Sequence, residues 1–200
     1  MPILEDTKRV FEQVTGYGRP KPRDLATLVR ARKPHLHRFR DDGRTPNNRL
    51  PLVVYRSPVS LSDGFDPAAV FEVLFAAHGW RDSWRDGMYD FSHFHTRTHE
   101  VLGIARGRLR AEFGGSSGKT IELRAGDVVI LPAGTGHRRL GSSRDLLVVG
   151  AYPPTGTYDE PKLADVSHAK AVLAIARVRP PAQDPVYGKR GPLVQLWRGA

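Results

Sequence analysis

The chain has 200 residues, no cysteine and a formal net charge of +10. The length suits one domain with decorated ends; the missing cysteines exclude disulfides, thiolate metal sites and cysteine nucleophiles. No cationic start followed by an apolar run opens the sequence, and the longest apolar stretches, such as 128–131, fall far short of the ~20 residues of a membrane span. The expectation is a soluble cytoplasmic protein. Arginine supplies 24 of the 31 basic residues, and twelve basic against six acidic residues lie in the first fifty. There is no block of five or six cations and no nucleic-acid module signature, so the excess reads as a solvated arginine surface, and a nucleic-acid partner is not expected.

In chain order, the first fifty residues are broken by Pro20, Pro22, Pro34 and Pro46, with one short helix expected from Asp24 to about Lys33. Residues 52–55 read as a strand. Asp66 can cap a helix whose first turn holds Pro67, whose apolar stripe is Val70, Phe71, Leu74 and Phe75, and which Gly79 closes. From Tyr89 to Tyr152 the period changes to two. Tyr89, Phe91, His93 and His95 alternate with Asp90, Ser92 and Phe94, and short runs follow at 100–105, 108–113, 120–123, 127–131, 137–140 and 146–151 with glycine-bearing turns between them. Strands this short and this regularly spaced point to an all-β sandwich or barrel. A final helix is expected over 165–177, with Val166, Ala169, Val172, Leu173 and Ala176 on one face, followed by an extended tail laid back on the domain. The resulting division is an N-terminal arm (1–50), a barrel (51–155) and a C-terminal helix and tail (156–200) within one structural domain.

His93 and His95 lie two apart on an expected strand, so both imidazoles project from one face, ~7 Å apart. After a four-residue turn, Glu100 can return a carboxylate to the same point, and His137 supplies a fourth donor after the turn at 132–136. Three neutral imidazoles and a carboxylate suit a borderline divalent ion: Fe, Mn, Ni, Zn, Co or Cu. The spacing His-X-His alone is weak, because His35-Leu36-His37 repeats it with Asp42 at the offset of Glu100. There Pro34 precedes the pair and Arg38 and Arg40 flank it, with no alternating strand leading in. His99 could orient a ligand or act as an acid–base group at a cavity mouth. Arg97, Arg138 and Arg139 adjoin ligands and could hold an anionic substrate, with Arg97 and Arg139 the substrate-binding candidates. Gly114 to Thr120 invites a phosphate-loop reading, but Phe113 stands where that pattern requires glycine and a strand follows where a helix should begin.

The residues 87–107 resemble the first cupin motif at Gly87, His93, His95, Glu100 and Gly107, and 126–137 resemble the second at Gly126, Pro132, Gly134 and His137. The asparagine that normally ends the second motif is Gly141 here, which affects a turn and not a metal ligand. Further phrases, among them 39–43, 46–48 and 184–188, resemble an uncharacterised group of bacterial single-domain cupins. The resemblance implies a cupin double-stranded β-helix (jelly-roll barrel) with flanking N- and C-terminal helices, and one divalent metal on His93, His95, Glu100 and His137. It supplies no substrate. The expected function is a metal-binding cupin, either a metal-dependent enzyme of dioxygenase or sugar isomerase/epimerase type on a small polar metabolite, or a non-catalytic cupin that binds or senses a metabolite or metal. An isomerase needs a positioned base, for which His99, Tyr89 and Glu122 are the candidates. A homodimer is expected, because sandwich edges need cover.

Overall fold

In the computed structural model, residues 18–61, 64–159 and 167–199 are described. Among them, nine strands form two antiparallel sheets. The larger sheet runs in the order β1 (His35–His37), β2 (Leu52–Tyr55), β7 (Val128–Leu131), β4 (Glu100–Arg106), β9 (Leu147–Tyr152) and β3 (Arg81–Asp86). The smaller runs β6 (Lys119–Arg124), β5 (Arg108–Phe113), β8 (His137–Ser142). Among the described residues no ladder joins the two sheets into a closed cylinder, so the expected barrel is an open sandwich. Between β4 and β5 the chain passes from the larger sheet to the smaller through a single residue, Gly107, whose φ of +75° an L side chain rarely adopts.

Side-chain pattern follows layer position. Strands β2, β4 and β7 lie inside the larger sheet and are apolar almost throughout, because both their faces are buried. Val53, Tyr55, Val101 and Ile130 face outward onto the helix α2 (Pro67–Ala77) and the C-terminal segment. Leu52, Val54, Leu102 and Val129 face inward and meet Leu109, Ala111, Phe113, Ile121 and Leu123 of the smaller sheet. Strands β5 and β6 bury only that inner face, so they alternate with Arg108, Arg110, Thr120 and Glu122 in solvent.

The helix α2 begins as its sequence signals: the Asp66 side chain accepts from the Ala68 N–H at 3.2 Å and Pro67 opens the first turn. The other helices are α1 (Leu25–Leu28), α3 (His168–Ile175) and α4 (Pro192–Arg198). The tail is laid against the outer face of the larger sheet, as expected, but its end is helical. Trp197 donates to the Pro51 carbonyl at 3.0 Å, and the buried Asp184 carboxylate accepts from Tyr55 Oη at 2.6 Å and from the N–H groups of Val186, Tyr187 and Leu193.

Four further expectations need correction. The helix from Asp24 stops at Leu28, because Val29 turns extended to bridge Val59 and the Arg30 N–H donates to the Pro58 carbonyl. The N-terminal fifty are not wholly irregular, since His35–His37 adds an edge strand to β2. Helix α3 buries Ala171 and Ile175 and leaves Val172 and Leu173 exposed, a face rotated from the expected stripe; Asp165 and Val166 lie outside the described residues, as do residues 1–17 of the arm. Residues 89–95 are not a regular strand. Their backbone is bonded to β8 where Tyr89 accepts from the Arg139 N–H and where His93 and His137 exchange backbone bonds of 3.2 and 2.9 Å. The five residues from 89 to 93 thus span the three from 137 to 139, and the surplus puckers the segment.

Candidate metal centre

His93 is pinned to His137 by that reciprocal bridge, and the His95 carbonyl accepts from the Gly134 N–H at 2.7 Å. Glu100 opens β4 and His137 opens β8, so each enters the space between the sheets at a strand start. All four side chains are buried, at 2–5% exposure. The ring centroids of His93 and His137 are 4.1 Å apart, and His95 stands 5.8 Å from each. One ligand atom from each of the three imidazoles can be chosen so that all lie within 4.8 Å of one another.

Each imidazole is oriented from behind. Nδ1 of His93 faces the Phe91 carbonyl at 3.3 Å, Nδ1 of His137 faces that of Thr135 at 2.9 Å, and Nδ1 of His95 faces that of Asp159. A carbonyl can only accept, so each Nδ1 carries the hydrogen and each Nε2 can present a lone pair. The Nε2 atoms of His95 and His137 lie 3.4 and 3.5 Å from Glu100 Oε2. Charge-assisted hydrogen bonds are shorter, ~2.7–2.9 Å. Two donors sharing an ion at bonds of ~2.1 Å stand about 3–3.5 Å apart. Glu100 Oε2 is buried without a hydrogen bond, an orphan that a cation would satisfy. The donor set therefore fits one divalent ion.

The electrostatics agree. Burial opposes ionisation of Glu100, but His95 and His137 hold its carboxyl well below the usual range. Burial, reinforced by the charges of His137 and His95, pushes His93 down to about 3, keeping it neutral. At His95 burial works downward and the Glu100 carboxylate overrides it, raising the proton affinity of the nitrogen that a cation would occupy.

The cluster lines a cavity of about 780 Å³, a size that suits a small ligand. Of the expected flanking residues, Arg139 and Tyr89 line this cavity; His99, Arg97, Arg138 and Glu122 do not. His99 is fully buried elsewhere, pushed down to about 4 by burial and packed on Trp197 at 4.7 Å. Its Nδ1 accepts from the Ala133 N–H at 2.9 Å, and its Nε2 faces the Arg179 carbonyl at 3.2 Å. Both ring nitrogens are thereby used in joining the Pro132 turn to the C-terminal segment. Arg97 is exposed, Arg138 pairs with Glu112 on the outer face of the smaller sheet at 3.0 Å, and Glu122 lies on that same outer face.

Sequence reasoning missed the strap at 153–159. The Asp159 carbonyl takes the His95 ring, and its carboxylate accepts from the backbone of Thr96 and Arg97 and from Thr96 Oγ1. No spacing rule links residue 159 to residue 95, so nothing in the sequence could have flagged it. Trp84 and Tyr152 were also missed as cavity walls. The Trp84 indole donates to Tyr152 Oη at 2.8 Å, and burial together with the neighbouring Glu100 carboxylate keeps the Tyr152 phenol protonated.

No family model matches the chain. An uncharacterised protein of Bacillus subtilis, YjlB, is 40% identical over 167 residues, which cover 83% of this chain and 98% of that protein. Distant solved structures include three enzymes. An acireductone dioxygenase from Bacillus anthracis with a cadmium ion in its active centre is 19% identical over 50% of this chain and 70% of that one, at a TM-score of 0.36. A TDP-fucose-3,4-ketoisomerase from Campylobacter jejuni is 11% identical over 46% and 72%, with a TM-score of 0.36. A variant of Bacillus subtilis oxalate decarboxylase is 18% identical over 57% and 28%, with a TM-score of 0.34. Likenesses of that size carry no functional inference. The alignment with YjlB over nearly its whole length, together with the meeting of both sequence motifs at one buried cluster, places the chain in the YjlB family of cupins.

Proposed function

We propose that this cupin binds one divalent transition metal through His93, His95, Glu100 and His137 and is a metal-dependent enzyme acting on a small organic metabolite in the adjoining cavity. The observation that carries the reading is the buried Glu100 Oε2, which has no hydrogen bond and faces two imidazole nitrogens whose opposite sides are tied to carbonyls. Bound there, the ion would supply Lewis-acid polarisation of a substrate oxygen and, with a redox-active metal, a place for oxygen to react. The protein's own residues do the rest. The carbonyls of Phe91, Thr135 and Asp159 fix the imidazole tautomers. Tyr152 holds its proton beside Glu100, and Trp84 holds Tyr152. Arg139 offers a cation two residues beyond His137 on the same strand, hence on the same face.

Oxygen-dependent chemistry is the reading tested first; of the three base candidates for an isomerase, Tyr89 lines the cavity and His99 and Glu122 do not. The test is elemental analysis of anaerobically purified protein, followed by oxygen uptake across a set of small organic acids. The expected result is about one divalent ion per chain and ion-dependent oxygen consumption. A metal-loaded protein that binds acids without consuming them or oxygen would make it a non-catalytic binding cupin, and a protein that retains no metal would remove the proposal.

A further inference from the structure

We infer that the cavity selects a flat, largely apolar organic acid carrying one carboxylate, held by Arg139, and not a polyhydroxylated sugar. This rests on the proposed metal centre and specifies its substrate class. The argument begins with which hydrogen-bonding groups on the cavity wall are already committed. The Trp84 indole has one donor, and Tyr152 Oη receives it. The guanidinium of Arg85 is bound by Glu72 at 2.6 and 2.9 Å and by Asp66 at 2.6 Å, and Asp86 Oδ1 accepts from the Gly87 N–H. Beside these stand two apolar walls, Met88 and Leu102. A sugar presents a hydroxyl on nearly every carbon, and each one desolvated without a partner is penalised. An apolar body gains from the same walls.

Trp84 supplies the flatness. Its ring lies so close over Gly150 that a Cβ there would come within 2.1 Å of it, which leaves the indole spread along the wall. Arg139 supplies the charge. Its nearest acid, Asp90, is 3.8 Å away and 76% exposed, and Ser142 Oγ is 3.5 Å from Nη1. Arg85 is locked in short bidentate contacts; Arg139 is loosely held and able to turn onto a carboxylate. Asp82, Asp86 and Asp90 are acids on the same cavity, but all three are exposed residues at its rim, where water and salt screen them. Deeper in, a divalent ion on three neutral imidazoles and one carboxylate leaves one net positive charge, which Arg139 reinforces.

The test uses the full chain loaded with Co(II), monitored by the visible cobalt absorption and by calorimetry. Three probes separate the contributions: mandelate, with a flat body and a carboxylate; mandelamide, with the same body and no charge; and D-xylose, with hydroxyls and no apolar body. Mandelate is expected to bind at least about tenfold more tightly than mandelamide, a difference of ~1.4 kcal/mol, and xylose not to displace it. Arg139→Leu is expected to reduce the mandelate–mandelamide difference several-fold while cobalt affinity is unchanged. Xylose binding as tightly as mandelate, or equal binding of mandelate and mandelamide to the unaltered protein, would overturn the inference, and neither comparison needs the variant to fold. Failure of the cobalt band to develop before any probe is added would instead bring down the metal centre itself, and the substrate class with it.

Discussion

Two His-X-His pairs in this chain have opposite fates. His35 and His37 lie on β1, an edge strand, with His35 exposed and His37 stacked on Phe39. The acid at the matching offset, Asp42, spends its carboxylate on the N–H groups of Arg44 and Thr45 and on Ser116. His93 and His95 are buried, and their acid, Glu100, opens an interior strand with one oxygen left unbonded. Spacing is the same in both. What differs is that the second pair is backed by carbonyls and faced by His137 from the other sheet. A metal site is made by convergence between layers, and local sequence supplies only half of it.

The largest expected break in this comparison is at the ligands. Glu100→Gln or His137→Ala should lower affinity for Zn(II) or Co(II) by well over the roughly 10–100-fold that outer partners control, whereas His35→Ala with His37→Ala should leave metal content unchanged; metal retained after dialysis against a chelator decides. Next is the strap. Asp159→Ala removes the carboxylate that holds Thr96 and Arg97 and so loosens the carbonyl behind His95. Affinity should fall by ~10–100-fold with the fold retained, as read by competition titration and circular dichroism. A change below twofold would mean that the strap does not orient His95.

His99 sharpens the contrast from the other side, being a buried histidine next to a ligand that serves packing. His99→Ala should destabilise the protein by about 1–3 kcal/mol, since the Ala133 N–H and Arg179 carbonyl lose their partner, with metal stoichiometry unchanged. Loss of turnover without loss of stability would restore an acid–base role. An effect of similar size sits on the cavity wall. Gly150→Ala pushes on the Trp84 ring and should cost about 1–3 kcal/mol in denaturant unfolding, with metal affinity kept.

The four proposed ligands were legible because each sits at an alternation or turn that the sequence marks, and β2, β5 and α2 begin and end where caps and patterning place them. The strand β3 (Arg81–Asp86) was not legible, since five of its six residues are polar and it lies at a sheet edge. Asp159 and the role of His99 depend on which segments meet across 34 to 80 residues of chain, and no local period encodes that. The open sandwich differs from the closed barrel for the same reason. Strand patterns specify which face is buried, not which edges join.

Anomalous diffraction at the metal edge from crystals of the Co(II)- or Zn(II)-loaded protein tests the central claim most directly. One strong peak bounded by Nε2 of His93, His95 and His137 and by Glu100 Oε2 is the predicted result. A fully loaded protein with its peak elsewhere, at His35 and His37 for instance, or with His137 outside bonding distance of the ion, would contradict it.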